Sequence, residues 1–235
     1  MPGTRPLYSD TDLPSVRVHA ENWNDIYVVG DVHGCRETLV ELLDSIAPAG
    51  ENLVVLVGDL VRKGPDSKGV IDIVRNRENV LSIRGNNEQK LIDGRKRLPS
   101  LSSEDVSFLE SLPLAIGWEN SLVVHGGIDP QKPVAKHSRG ELLTMRSLVS
   151  GGGYDRPYWF ETRRENPRVF FGHTVLSDPF ETDWAVGLDT GCVHGGQLTA
   201  YRCSTGAFIS VEPPTTHVNR SPDSIVNPRV CDPVP

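Results

Sequence analysis

Short apolar runs that end in glycine and a polar side chain recur along this chain. The clearest is Ile26–Val29, which leads into the turn sequence Gly30-Asp31-Val32-His33-Gly34. A short apolar run bounded by glycine predicts a buried strand that ends in a tight turn. Comparable runs occur at 53–57, 80–83, 121–125 and 169–173. The pattern therefore predicts buried strands that each present polar groups at one end.

Apolar residues at helical spacing lie between these runs. They predict helices over 35–46, 67–74, 88–97, 103–111 and 138–149. Further strands are predicted at 186–189, 197–203 and 207–211, the last two as a hairpin. Strands that alternate with helices in this way indicate an α/β fold.

The 235 residues are enough to bury a substantial core, and no linker interrupts the centre of the chain. We therefore expect one main domain, over residues 25–212. Residues 1–24 carry scattered Pro, Asp and Ser and predict a loosely ordered start, with a short strand near 16–19. Residues 213–235 are Pro-rich and polar, which predicts an extended or disordered tail.

Charge and cysteine content narrow the function classes. The formal net charge of −7 argues against general nucleic-acid binding. No run approaches the roughly 20 apolar residues that span a membrane, and the start lacks an apolar signal core. The lack of a long apolar run predicts no membrane partner. The four cysteines, Cys35, Cys192, Cys203 and Cys231, form no CxxC pair, so we expect reduced thiols in a cytoplasmic protein.

Side chains that can bind metal follow each of five predicted strands. They are Asp31, His33, Asp59, Asn86, His125 and His173. Any one alone has an ordinary interpretation as a turn aspartate, a capping asparagine or a core histidine. Five such strand ends together favour a metal centre. The mixture of carboxylate, imidazole and amide suits Mn²⁺, Fe or Zn²⁺ better than Ca²⁺, and six ligands suit two ions that share a carboxylate.

In order and spacing, these motifs resemble a known family. Gly30–Gly34, Gly58-Asp59 with Gly64, Gly85-Asn86, His125-Gly126-Gly127 and Gly172-His173-Thr174 are similar to the signature of phosphoprotein-phosphatase-type (calcineurin-like) metallophosphoesterases. The resemblance covers about residues 26–212. It is strongest to the symmetric diadenosine-tetraphosphatase and small prokaryotic Ser/Thr phosphatase branch. It implies a sandwich of two mixed β-sheets flanked by helices, with the site at the strand ends.

The resemblance also implies roles for individual residues. Asp31 and His33 would hold one divalent ion, Asp59 would bridge both, and Asn86, His125 and His173 would hold the other. Mn²⁺ is the favoured metal, with Fe, Zn²⁺ or Ni²⁺ as alternatives. A metal-bound hydroxide would attack the phosphorus without a phosphoenzyme. Arg146 is the candidate for the family's phosphate-binding arginine, the alternative being a surface helix arginine.

Three positions depart from the family pattern. Asn87 stands where the family has its general-acid histidine. Arg62 stands where the family has the acid that orients this histidine, and Lys63 stands where it has an arginine. An amide cannot serve as a general acid at neutral pH. A phosphoanhydride expels a phosphate with a second pKa of about 6, which needs little protonation. Arg62 or Lys63 could stabilise the charge of such a leaving group.

The sequence therefore predicts a dinuclear-metal-dependent phosphohydrolase that cleaves phosphate anhydrides or monoesters. Nucleotides or dinucleoside polyphosphates are the favoured substrates. Two alternatives stay open. One is a protein Ser/Thr phosphatase acting on a phosphoprotein. The other, from a different class, is a catalytically weak regulator that binds phosphate or a nucleotide.

Overall fold

The structure is a computed structural model that describes residues 14–47 and 50–229. Two β-sheets lie face to face with helices on the outside. The strands are β1 (Ser15–Arg17), β2 (Ile26–Val29), β3 (Leu53–Leu56), β4 (Val80–Ser82), β5 (Ala115–Trp118), β6 (Ser121–Val124), β7 (Arg168–Phe171), β8 (Phe180–Glu181), β9 (Ala185–Gly187), β10 (Leu198–Arg202) and β11 (Ala207–Val211). The helices are α1 (Arg36–Ile46), α2 (Ser67–Asn76), α3 (Asn86–Ile92), α4 (Ser103–Ser111), α5 (Arg139–Thr144) and α6 (Trp159–Thr162). Short 3₁₀ turns span Ala20–Asn22, Val134–Lys136, Cys192–His194 and Pro222–Ser224.

Both sheets are mixed. The first has the strand order β11-β10-β2-β3-β4, and the second has the order β1-β5-β6-β7-β9-β8. In the first sheet β2, β3 and β4 are parallel and are joined through α1 and α2, while β10 and β11 pair antiparallel. Parallel neighbours end at the same edge of a sheet, so the turns after β2, β3 and β4 meet there. The predicted fold, an α/β sandwich of two mixed sheets, is confirmed.

Alternation of side chains along each strand builds the layers. In β2, Val28 faces the second sheet, whereas Tyr27 and Val29 pack with α1 and α2. In β7, Phe170 packs between the sheets and Phe171 packs outward against α6. Strands buried on both faces explain why the sequence shows continuous apolar runs here rather than alternation.

The predicted elements are present, with differences at their ends. The helix predicted over 88–97 begins two residues earlier and ends at Ile92. The helix predicted over 138–149 was too long, because α5 ends at Thr144. The following residues turn extended so that Ser147 can pair with Tyr158, and that partner is distant in sequence. Strand β5, strand β8 and helix α6 had not been predicted.

Both chain ends are partly described. Strand β1 pairs in parallel with β5, and residues 1–13 lie outside the described residues. The C-terminal segment, residues 213–229, runs back over the domain. Val226 is 4% exposed and pairs with Leu176, and Arg220 donates to the hydroxyl of Tyr154 and contacts His194 Nε2 at 3.3 Å. The division at residues 24 and 212 stays a prediction.

Among the described helices, none has the length and apolar content that crossing a membrane requires. Cys35, Cys192 and Cys203 are free thiols, the first two of them buried. Cys231 lies outside the described residues.

The close approach of Gly30 to the end of β9 yields a stability prediction. A Cβ on Gly30 would lie 2.1 Å from the carbonyl oxygen of Leu188, so the backbone must move. We expect Gly30→Ala to lower the free energy of unfolding by about 1–3 kcal/mol in urea denaturation. Gly140→Ala in α5 is the control, because its nearest neighbour, Ser138 Oγ, would lie 3.9 Å away. Equal stabilities of the two variants would contradict the prediction.

Candidate metal centre

The centre is built first on the turns after β2 and β3. Asp31 and His33 follow β2, and Asp59 follows β3. The strands are parallel and in register, with Val29 opposite Leu56, so the two turns leave the sheet side by side. His33 and Asp59 have φ of 49° and 51°, a region that costs a non-glycine residue energy. The surrounding structure therefore holds these side chains in place against local strain.

Three buried side chains come close enough to share a metal ion. Ligand atoms of Asp31, Asp59 and His125 all lie within 4.8 Å of one another. His125 Nε2 lies 3.3 Å from Asp59 Oδ1. His33 Nε2 lies 3.5 Å from Asp59 Oδ2 and 3.8 Å from Asp31 Oδ2. Each of the four residues is at most 3% exposed.

His173 lies beside both Asp31 and His125. Its backbone N–H donates to Asp31 Oδ1 at 3.2 Å, and its ring centroid lies 5.1 Å from that of His125. Gly172 permits this approach, since a Cβ there would lie 2.0 Å from Asp31 Oδ1. Arg146 Nη2 donates to the His173 carbonyl at 3.1 Å. The guanidinium stacks over the ring of Tyr154, 4.9 Å from its centroid.

Helix α3 brings two adjacent asparagines to the same place. The Asn87 N–H donates to Asp59 Oδ1 at 2.8 Å, and its side-chain amide donates to Asp59 Oδ2 and to Asn86 Oδ1. Arg62 in turn donates to Asn87 Oδ1. Lys63 Nζ lies 2.7 Å from His33 Nε2. All the site residues proposed from the sequence thus belong to one connected cluster.

The donor set fits a divalent cation. His125 Nδ1 lies 2.8 Å from the Val57 carbonyl, which as an acceptor fixes Nδ1 as the protonated nitrogen. The Nε2 atoms of His125 and His173 are buried and have no hydrogen-bond partner among the described residues. An imidazole nitrogen that faces buried carboxylates and has no hydrogen-bond partner is an arrangement typical of metal ligands, which bind the cation in place of a proton.

The two carboxylates differ in their proton affinity. Burial, followed by the charge of Asp189, raises the pKa of Asp31 well above its usual value. Burial also acts to raise the pKa of Asp59, but the charges of His125 and His33 and several hydrogen bonds bring it well below its usual value. Burial acts to lower the pKa of His125, and the charges of Asp59 and Asp31 raise it to about 9. The cluster attracts positive charge.

Glu88 is the acidic residue in the first turn of α3, and its contacts extend beyond that helix. Its carboxylate accepts from the N–H groups of Gly85 at 2.6 Å, Asp59 at 2.9 Å and Val61 at 3.2 Å. Only the bond to Gly85, which closes the helix N-terminus, is local in sequence. Burial, then the charge of Asp59, raises the pKa of Glu88 to about 7. Glu88 ties the turn after β3 to the start of α3.

Comparison with known proteins agrees with this geometry. The family model described as calcineurin-like phosphoesterase matches residues 25–179, well over half of the chain. The chain belongs to this family. As a calcineurin-like phosphoesterase it is a hydrolase that acts on phosphate esters, and the resemblance seen in the sequence is confirmed.

Relatives of this phosphoesterase carry two kinds of name. It is 30% identical to serine/threonine-protein phosphatase 1 of Salmonella typhimurium, over 79% of this chain and 95% of that one. It is 29% identical to an asymmetrical bis(5'-nucleosyl)-tetraphosphatase of Oceanobacillus iheyensis, over 79% of this chain and 91% of that one. A crystal structure of a putative diadenosine tetraphosphatase matches with a TM-score of 0.76 and 33% identity, over 85% of this chain and 98% of that one.

The bridge made by Glu88 can be tested directly. In Glu88→Gln an N–H₂ group replaces one carboxylate oxygen, so one of the three backbone N–H groups faces a donor. We expect the free energy of unfolding to fall by about 1–3 kcal/mol, the cost of a buried unsatisfied group. Glu104→Gln in α4 is the control, because Glu104 is exposed. Unfolding curves that coincide for the two variants would show that the Glu88 charge is dispensable.

Proposed function

We propose that this phosphoesterase is a dinuclear-metal-dependent phosphohydrolase that favours phosphate anhydrides of nucleotides or dinucleoside polyphosphates. The observation that carries the proposal is the buried cluster of Asp31, Asp59 and His125, whose ligand atoms lie within 4.8 Å of one another. Two buried carboxylates are costly to keep together unless a cation joins them.

Six side chains would hold the two ions. Asp31 and His33 would hold one ion, and Asn86, His125 and His173 would hold the other. Asp59 would contact both, since its Oδ2 lies near His33 and its Oδ1 near His125. When bound, two divalent cations lower the pKa of a shared water and neutralise phosphoryl oxygens. The mixed nitrogen and oxygen donors support Mn²⁺, with Fe, Zn²⁺ or Ni²⁺ as alternatives.

Arg146 would bind the phosphoryl group. Its Nη2 is fixed by the His173 carbonyl and its plane by Tyr154. Its Nε is buried and has no hydrogen-bond partner among the described residues. A guanidinium held in this way keeps donors free for the two oxygens of a phosphate. This arrangement differs from the surface-helix alternative, because Arg146 lies beyond the end of α5.

The hydrogen bonds of Asn87 support a preference for good leaving groups. Its amide N–H₂ donates to Asp59 and Asn86, and its oxygen accepts from Arg62. Asn87 therefore orients the Asp59 carboxylate and has no proton to give to a leaving group. Arg62 places positive charge beside it. A phosphate leaving group is stabilised by such a charge, whereas a serine alkoxide needs a proton.

The names of the relatives support both substrate classes. The relative from Oceanobacillus iheyensis and the solved structure are named for dinucleoside tetraphosphate hydrolysis. The relative from Salmonella typhimurium is named a protein phosphatase, which favours the alternative of a phosphoprotein substrate. The leaving-group chemistry at Asn87 supports the first class.

Asp59 should matter more than any other ligand, because it would contact both ions. We expect Asp59→Asn to lower kcat/KM by more than about 100-fold, beyond the loss that follows when only an outer-shell partner of a metal is changed. Metal analysis after Mn²⁺ reconstitution should show fewer than two ions per chain. Asp44→Asn, an exposed site on α1, is the control. Near wild-type turnover in Asp59→Asn would place the active site elsewhere.

The absence of a leaving-group acid predicts a steep dependence of rate on leaving-group pKa. Diadenosine tetraphosphate and p-nitrophenyl phosphate should be cleaved well, and a phosphoserine peptide poorly. A general acid contributes about 10²–10⁴ in rate. Asn87→His combined with Arg62→Asp should therefore raise the rate on phosphoserine far more than on the anhydride. Arg62→Asp alone is the control. A shallow dependence in the wild-type protein would favour the protein phosphatase.

A further inference from the structure

Lys90 is a charged residue that the site, as described so far, does not use. It lies on α3 four residues after Asn86, and side chains four apart share one face of a helix. Its side chain is half-buried. Within residues 14–47 and 50–229, the Lys90 ammonium makes no hydrogen bond and no ion pair. The Lys90 ammonium therefore keeps its three donors free for an anion.

Two further cations lie next to this face of α3. Arg62 donates to Asn87 Oδ1, so its guanidinium rests against the first turn of the helix. Lys63 adjoins it and reaches His33. In the described part of the chain, no carboxylate forms an ion pair with Arg62, Lys63 or Lys90. Burial lowers the pKa of Lys90, and the charges of Arg62, Lys63 and Arg95 add to this against the opposing charge of Asp59.

We propose that Arg62, Lys63 and Lys90 form a leaving-phosphate subsite, which binds the phosphate expelled from a pyrophosphate-linked substrate. The proposal rests on the proposed function and specifies its substrate class. Three neighbouring cations beside the start of α3 suit a phosphate that carries up to two negative charges. A phosphoserine substrate expels one serine oxygen, which lacks the several charged oxygens of a leaving phosphate. The subsite thus supports anhydrides over phosphoserine by binding, and independently of the absent acid.

The subsite would act on the bond that breaks. The oxygen of water forms a bond to the scissile phosphorus, and the bond from that phosphorus to the bridging oxygen breaks. The leaving phosphate keeps the electron pair. One proton of the water passes to solvent, and the other stays on the oxygen that is now bonded to the scissile phosphorus. Negative charge therefore grows on the leaving phosphate during the step. Lys90 stabilises this charge more in the transition state than in the bound substrate.

The test compares two substrates with good leaving groups, of which only one expels a phosphate. Diadenosine tetraphosphate and p-nitrophenyl phosphate are hydrolysed by the Mn²⁺-loaded wild type, Lys90→Met, Lys90→Arg and Lys96→Met. The measured quantity is the ratio of kcat/KM for the first substrate to that for the second. Lys96→Met is the matched control, because Lys96 is an exposed lysine beyond the end of α3.

We expect Lys90→Met to lower this ratio by about 10–100-fold, the range of one charge-assisted hydrogen bond. Lys90→Arg should keep the ratio within about threefold of wild type, since it keeps the charge. Lys96→Met should leave it unchanged. A ratio in Lys90→Met within about twofold of wild type would overturn the subsite. Failure of the Mn²⁺-loaded wild type to hydrolyse either substrate would instead refute the proposed function, a distinguishable result.

Thermal unfolding without substrate provides a readout separate from catalysis. Lys90→Met keeps an apolar stem and removes a charge that repels Arg62 and Lys63, so its melting temperature should equal or exceed that of the wild type. A fall of more than about 4 °C in the melting temperature would show that Lys90 serves the fold and would overturn the proposal.

Discussion

The hydrogen bonds of the Glu88 carboxylate are the constraint on which the site depends. One buried side chain accepts from backbone N–H groups at the start of α3 and in the turn after β3. The same turn carries Asp59, and the same helix carries Asn86 and Asn87. The relative positions of a carboxylate on one strand end and two amides on another are thereby fixed. With this connection in place, the Asn87 amide donates to the Asp59 carboxylate and orients it.

Backbone strain is concentrated in the segments that carry the site. His33, Asp59 and His173 adopt left-handed backbone conformations, and so do Arg62 and Lys63. Hydrogen bonds such as that from the His173 N–H to Asp31 hold these segments in place. The stability of the parallel core in the first sheet offsets the cost of placing polar groups close together in the turns. A site on flexible loops could not keep two buried carboxylates at such short range.

The sequence allowed prediction of what is local. Asp31, His33 and Asp59 each follow a continuous apolar run, so strand, turn and candidate ligand were visible together. Features that depend on distant partners were not visible. The end of α5 at Thr144 follows from the pairing of Ser147 with Tyr158. The bonds from Glu88 to the turn after β3 form only when α3 packs against that turn.

The C-terminal segment gives the site an order of assembly. Arg220 holds Tyr154, the ring on which Arg146 lies, and Arg156 donates to the carbonyl of Asn227. A chain leaves the ribosome from its N-terminus, so the loop that presents Arg146 emerges long before the residues that brace it. The carboxylate side of the centre can form while synthesis continues. The arginine side is completed only when residues 220–227 have emerged. A nascent chain therefore contains the acidic and histidine ligands before Arg220 can hold Tyr154 beside Arg146.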